Sequence, residues 1–288
     1  MSDNPQPARD AFRPLPGHRV LALSGRDSAA FAQAQWMNDV AGLAPGHWQW
    51  NGWLTPKGRL LALFALLKLD EQTLWLLLPD ADPVALAAQL QRYVFRSKVA
   101  FAVRDDLCVA GAFAAPVRAS QSGIDGGAEH GLELDFGGEG GPRTLRIDTH
   151  VANADDADFA TRWTAFDLEH GLPRLGDTQA GQWTPQQLSL DRLQAYSVKK
   201  GCYPGQEIVA RTHFLGQAKR GLALLDADGP LLVGSEVGDG ERALGTIVSS
   251  VGGLALAVLP LERNPAATLA VAGVAVRERA LRDGLARA

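Results

Sequence analysis

The stretch from Trp48 to Lys68 limits the possible folds more than any other. Trp48-Gln49-Trp50-Asn51-Gly52-Trp53 alternates with period two, which places the three indoles on one strand face. Thr55-Pro56-Lys57-Gly58 is a turn, and Arg59 to Lys68 returns as the second arm of a hairpin. A further strand, Thr73 to Leu78, follows the Asp70-Glu71 turn. Around this meander lie a strand at Arg19–Leu23 and a helix capped by Asp27 or Ser28, with Phe31, Ala34, Gln35 and Asn38 at helical spacing. A helix opened by Asp82-Pro83 and running to Phe95 comes next, then strands at Val99–Val103 and Leu107–Phe113. Helices and antiparallel strands in this order give an α+β sandwich rather than a parallel, doubly wound sheet. No GxGxxG follows a strand and no GxxxxGK[ST] occurs, so dinucleotide and P-loop chemistry drop out.

The second half changes texture. Eight glycines between Pro116 and Pro142 suggest a surface insertion or flexible hairpin. Arg143 to Asp148 resumes as a strand, Asp155-Asp156 caps a helix from Ala157 to His170, and Gln186 to Leu193 reads as a short helical piece. Beyond Lys219 short strands recur at Gly221–Leu225, Pro230–Val233, Ala243–Ser250, Gly253–Leu261 and Thr268–Val274, the pattern of a small barrel. A length of 288 residues with 46% hydrophobic and 21% charged content supports two or three domains with full cores. A net charge of −4 argues against broad nucleic-acid binding. The longest apolar run, Leu60 to Leu67, is far short of a membrane span, and Met1 to Arg13 lacks the apolar core of a secretory signal. Two cysteines without CxxC spacing argue against a self-held zinc or iron–sulfur site and fit a reduced, cytoplasmic protein.

The chemistry concentrates at Lys199-Lys200-Gly201-Cys202-Tyr203-Pro204-Gly205-Gln206-Glu207-Ile208-Val209-Ala210-Arg211. Through Arg220 the cations Lys199, Lys200, Arg211, Lys219 and Arg220 face Glu207 alone, and nearby positive charge favours thiolate over thiol at Cys202. Cys202 is either a reactive or ligand-facing thiol or a small buried hydrophobe. A helix from Gly205 to Phe214, with Ile208, Thr212 and Leu215 on one face, would point free amides at an anion. Glu207 either accepts from a ligand or satisfies the helix dipole, and Gly201 and Gly205 serve backbone needs. Asn38 and Asp39 either cap a turn or contact polar ligand edges, and Lys57-Gly58-Arg59 is either a solvated turn or an anion contact. The tryptophans either pack the core or stack a planar heterocycle. A Cys202–His213 pair is a further candidate, for a thiol enzyme.

Lys200-Gly201-Cys202-Tyr203-Pro204-Gly205-Gln206-Glu207 resembles the signature of the YgfZ family of folate-binding proteins, relatives of the aminomethyltransferase (T-protein) of the glycine cleavage system. The resemblance extends to Trp183-Thr184-Pro185-Gln186 with Leu190-Asp191, to Val209-Ala210-Arg211 with Lys219-Arg220, to Phe31-Ala32-Gln33 with Asn38-Asp39-Val40, and to Pro56-Lys57-Gly58-Arg59. Gln194-Ala195-Tyr196-Ser197-Val198 stands where Gly-Gly-(Val/Ile)-Ser-Phe is usual, a departure that reshapes the approach to Cys202. The resemblance implies a ring-like molecule: an α+β folate-binding module at 14–115, a Gly-rich insertion at 116–142, a second α+β module at 143–218 carrying the motif, and a C-terminal β-barrel at 219–288.

It further implies a tetrahydrofolate-binding accessory protein, without catalysis of its own, that helps assemble or repair iron–sulfur clusters in client proteins such as tRNA-thiolating enzymes. Cys202 would be the functional thiol, with Lys200, Tyr203, Gly205, Gln206, Glu207, Arg211, Asn38 and Asp39 binding the ligand. The rival readings are a folate-dependent one-carbon transferase using Asp39 or Asp191 and a Cys202-dependent thiol enzyme.

Overall fold

The computed structural model describes residues 12–150, 154–214, 216, 218–264 and 267–287. Leu215 and most of the Met1–Arg13 segment, which entered the sequence reading, lie outside them.

Among the described residues all strand pairings are antiparallel, in two five-stranded sheets and a closed six-stranded barrel. The first sheet is ordered His47–Leu54, Leu60–Lys68, Thr73–Leu78, Arg19–Ser24, Ala100–Val103. Its hairpin pairs Trp50 with Ala65 and Trp48 with Leu67, as the turn at Thr55–Gly58 requires. Residues 60–67 are apolar throughout because both faces of the strand are covered. Leu63, Ala65 and Leu67 enter the central core, while Ala62, Phe64 and Leu66 meet the helices α1 (Ser28–Gln35) and α2 (Pro83–Gln91).

The same parity corrects the tryptophan reading. Trp48 and Trp50 share the central face, but Trp53, an odd number of residues away, packs on the helical side. Asp82 caps α2 as expected, accepting from the Val84 and Ala85 amides at 3.0 and 3.3 Å, but α2 ends at Gln91 rather than Phe95. Asp27 makes no cap bond to α1, because its carboxylate accepts from the Lys98 amide at 2.6 Å.

The second sheet is ordered Arg13–Pro14, Cys108–Ala112, Thr144–Asp148, Gly131–Asp135, Ile124–Gly127. One placement changes here, and the hairpin offered for the Gly-rich stretch is present. Cys108–Ala112, which falls within the 14–115 module of the sequence reading, pairs with Thr144–Asp148 in the second sheet. The Gly-rich stretch contributes two of this sheet's strands, Ile124–Gly127 and Gly131–Asp135, with glycines at its hairpin end, where Gly126 and Gly131 have φ of 97° and 80°.

Helix α3 (Ala157–Glu169), capped by Asp156, covers the sheet with Phe159, Trp163 and Phe166. Residues 185–194 form successive turns instead of the expected helix, interrupted by positive φ at Ser189 (48°) and Gln194 (53°). Helix α4 spans Gln206–Phe214.

The barrel strands are Arg220–Asp226, Glu236–Gly238, Ala243–Val251, Leu254–Pro260, Leu269–Val271 and Val274–Arg279. Pro230–Val233 is not a strand, and Glu236–Gly238 takes its place. The chain then leaves the barrel. Leu281–Arg287 runs back as a strap, donating Arg282 N–H to Glu169 O and accepting the Trp50 indole N–H at Leu285 O (2.7 Å).

One central core joins both sheets, α3, the 188–195 turns and the outer side of the barrel. Its polar knot is buried. Arg143 reaches Asp167 at 2.8 Å, and Asp167 also lies 3.5 Å from Arg174. Arg174 pairs with Asp80 at 2.9 Å, and its amide donates to Ser249 Oγ of the barrel.

His18 is buried nearby, and burial, with the charges of Arg174 and Arg143, holds its pKa well below the ordinary value. Folded protein therefore takes up this proton later than unfolded protein as pH falls. Stability from a neutral His18 is complete above about pH 6.5 and declines below it, by up to about 1.4 kcal/mol per pH unit. Urea unfolding at pH 7.5 and 5.5 should show this decline, and His18→Leu should make it shallower; an unchanged slope would remove His18 as its source.

Candidate functional site

A hollow of about 530 Å³ lies where the first sheet, the 191–199 segment, α4 and the strap meet. Its wall is built first from the loop after α1. The Gln33 side chain accepts from the Val40 and Ala41 amides at 2.7 and 3.1 Å and donates to Asp39 Oδ1 at 3.0 Å. Asn38 is buried, and its side-chain amide donates to Trp50 O at 2.9 Å and to Gln194 O at 2.7 Å. It thereby ties the hairpin to the 191–199 segment. Asn38 and Asp39 both line the hollow, together with Gln49 from the strand behind them.

The opposite wall comes from Asp191, Gln194, Tyr196 and Lys199. Burial, with the Asp191 charge, raises the Tyr196 phenol to about 12, so at neutral pH it carries a proton to donate. Gln194, at the first of the two positions where glycine is usual, sits at φ 53°, the left-handed region that favours glycine. His213 from α4 and Arg287 from the strap complete the lining. Arg287 is buried, its guanidinium 5.2 Å from the Trp48 ring, and donates to Asp135 O, Gly137 O, Gly284 O and Ala286 O. Its N–H groups hold the strap, and the Asp135 carboxylate, 3.8 Å away, opposes its charge.

The octapeptide lies behind this wall and does not line the hollow. The Lys200 ammonium is buried and donates to three carbonyls, Gln33 O and Trp36 O at 2.6 Å and Asn38 O at 3.0 Å. These include the free carbonyls at the end of α1, which a cation satisfies. Burial lowers its pKa to about 8, against the opposing pull of Asp39. Tyr203 is buried, with Lys200 Nζ 5.0 Å from its ring and its hydroxyl on Ser197 O at 3.2 Å; burial, with Tyr196, pushes its phenol up strongly. Gln206 donates to Lys200 O at 3.2 Å. Lys200, Tyr203 and Gln206 thus hold the 36–41 loop and the 197–200 turn from behind.

Gly205 has φ 80°, and a Cβ there would stand 2.6 Å from Thr55 O and 2.7 Å from Gly58 Cα. The hairpin tip at Thr55–Gly58 therefore docks on the start of α4, and the Lys57-Gly58-Arg59 turn is a structural joint. A backbone requirement exists at Gly205 and not at Gly201, where a Cβ would meet open space. Cys202, Glu207 and Arg211 are exposed and outside the lining. Cys202 is thus no buried hydrophobe, yet its thiol opens to the surface, while Lys199 and His213 face the hollow. Sequence reasoning had not offered Gln49, Tyr196 or Arg287 as ligand contacts, although Tyr196 lies in the departure noted before the motif. Gln49 carried a signal as a polar residue between two buried tryptophans; Arg287 had none, since only the strap's return brings it here.

Among the described residues no three His, Cys, Asp or Glu side chains gather to hold a metal, and no helix is long and apolar enough to cross a membrane.

Comparison with known proteins agrees with this architecture. Residues 217–280 match the family described as CAF17, C-terminal beta-barrel domain. The "tRNA-modifying protein YgfZ" of Klebsiella pneumoniae (strain 342) is 28% identical over 257 residues, covering 81% of this chain and 78% of that protein. An uncharacterized protein of Haemophilus influenzae is 29% identical over 250 residues, covering 83% of this chain and 84% of that protein. The crystal structure of glycine cleavage system aminomethyltransferase T from Bartonella henselae superposes with a TM-score of 0.73 at 15% identity, over 94% of this chain and 85% of that one. The fold is that of the aminomethyltransferase.

Proposed function

From a chain homologous to the YgfZ proteins, we propose a cytoplasmic, reduced-folate-binding accessory protein that supports iron–sulfur clusters in client enzymes, tRNA-thiolating enzymes among them. The hollow carries the reading. A pterin presents an amino group and ring N–H groups that donate to carboxylates, and its glutamate tail is anionic. Asp39, Asp191 and the amides of Gln49 and Gln194 supply acceptors on the wall, Tyr196 supplies a ring, and Lys199 and His213 supply the basic side. This donor and acceptor set fits tetrahydrofolate. Cys202, exposed and outside the lining, is placed to meet another protein while the folate is held.

Titration with tetrahydrofolate, read by tryptophan quenching, is expected to saturate, because Trp48 lies directly behind Arg287. Asp39→Asn should weaken binding by about tenfold, the worth of one charge-assisted hydrogen bond. Cys202→Ala should bind folate normally yet fail to support cluster-dependent client enzymes. Absence of saturable quenching in the unmodified protein would sink the reading, and lost binding in Cys202→Ala would overturn the placement of the thiol.

A second reading, a folate-dependent one-carbon transferase, gains from one observation: both carboxylates able to steer a proton, Asp39 and Asp191, line the same hollow. It requires turnover of methylene-tetrahydrofolate with an amine acceptor, lost on removing one of them.

A further inference from the structure

The molecule carries a second chemically distinctive surface, away from the residues that line the hollow. Helix α2 stops at Gln91, and the next residues continue in tight turns, Tyr93 N–H donating to Leu90 O and Val94 N–H to Gln91 O. Val94 packs inward on the core beneath the helices. That anchoring turns its neighbours outward. Tyr93 is 42% exposed and Phe95 89% exposed, the latter with no ring partner among the described residues. Tyr93 is fixed edge-on by Trp53 at 5.9 Å.

Arg92, Arg96 and Lys98 flank these rings, all exposed, and none has a carboxylate within 4.0 Å among the described residues. A fourth cation joins from another segment. The Gly25–Asp27 turn lies against Lys98, with Asp27 N–H donating to Lys98 O and the Asp27 carboxylate accepting the Lys98 amide. That bond occupies the one carboxylate of the two segments, which stands 3.9 Å from Arg26.

We propose that the surface formed by Arg92–Lys98 and the Gly25–Asp27 turn binds single-stranded nucleic acid. Bases stack on exposed aromatic rings, every base offers a π-face, and cations beside the rings follow the phosphates. Along Arg92-Tyr93-Val94-Phe95-Arg96 two exposed rings stand between two exposed cations, which supplies both kinds of contact in one short segment. A protein partner would instead select for a patch whose centre is depleted of charge. The net charge of −4 means the attraction arises from this patch and not from the chain as a whole.

The test is fluorescence anisotropy with a labelled oligo(U) of about a dozen nucleotides, at salt between about 50 and 200 mM. Binding is expected to weaken steeply with salt. Phe95→Ala should weaken it about tenfold or more without changing thermal stability, since the ring touches little of the fold. Arg92→Ala with Arg96→Ala should weaken it and lower the slope of log K against log salt by about 1.4. Arg242→Ala, an exposed arginine of the barrel, removes the same type of charge and should leave binding unchanged. The proposal is overturned by an absence of binding at the lowest salt, by equal binding in Phe95→Ala, or by displacement of the oligonucleotide by a polyglutamate peptide at equal charge. The last outcome would assign the surface to an acidic protein.

Discussion

Asp167→Ala should destabilise the protein by about 3–5 kcal/mol in urea unfolding, the largest effect expected of any single change at the charged knot. Asp167 is 2% exposed and Arg143 is fully buried. The guanidinium stands over the Trp163 and Phe166 rings at 4.2 and 3.8 Å, and donates to Phe136 O and Trp163 O. Burial already lowers the Arg143 pKa, and Asp167 is the counter-charge that opposes this. Removing the carboxylate leaves a positive charge in a dry core and takes one partner from Arg174. Asp167→Asn keeps the shape and should lose most of the same stability, because the charge is what matters. A loss below about 1 kcal/mol in both variants would mean that Arg143 is compensated by some other group.

Gly205→Ala should cost about 3 kcal/mol, from two sources that add. A side chain at φ 80° costs about 1–2 kcal/mol, and a Cβ forced 2.6 Å from Thr55 O costs about as much again in overpacking. Gly58→Ala meets the same joint from the other side, with φ 68° and a Cβ 2.8 Å from the Ile208 Cβ. The joint, once opened by either change, has little left to lose, so the double variant should fall short of the sum of the two. Additive losses, or a Gly205→Ala protein as stable as the original, would show that the hairpin tip and α4 are not coupled.

Local pattern carried well into the structure and distant pairing did not. The hairpin around Thr55–Gly58, the Asp82 cap and the start of α4 near Gly205 are short-range features, and each stands where the sequence placed it. Trp53 was misassigned because its spacing from Trp50 is odd, and parity alone decides the strand face. Cys108–Ala112 was grouped with the 14–115 module because it follows that module's other strands in the chain. Its partner lies more than thirty residues on, and local residues cannot announce such a crossover.

The candidate site shows the same division. Asn38 and Asp39 reached the wall of the hollow, whereas Lys200 and Tyr203 turned out to brace it from behind. The octapeptide was conspicuous in sequence because so many requirements coincide there: a buried ammonium on three carbonyls, a buried phenol and a glycine-to-glycine joint. Arg287 was invisible, since nothing in its own neighbourhood distinguishes it from a surface arginine.

The strap has a consequence for how the molecule comes into being. Residues 281–287 are synthesised after every element they pack on; Leu285 accepts from the Trp50 indole, and Arg287, over the Trp48 ring, lines the hollow. On the ribosome the first sheet emerges with that side of its surface bare, and the pocket wall is incomplete until the strap leaves the exit tunnel. A molecule that needs the wall carried by Arg287 therefore meets a complete hollow only after the strap has docked.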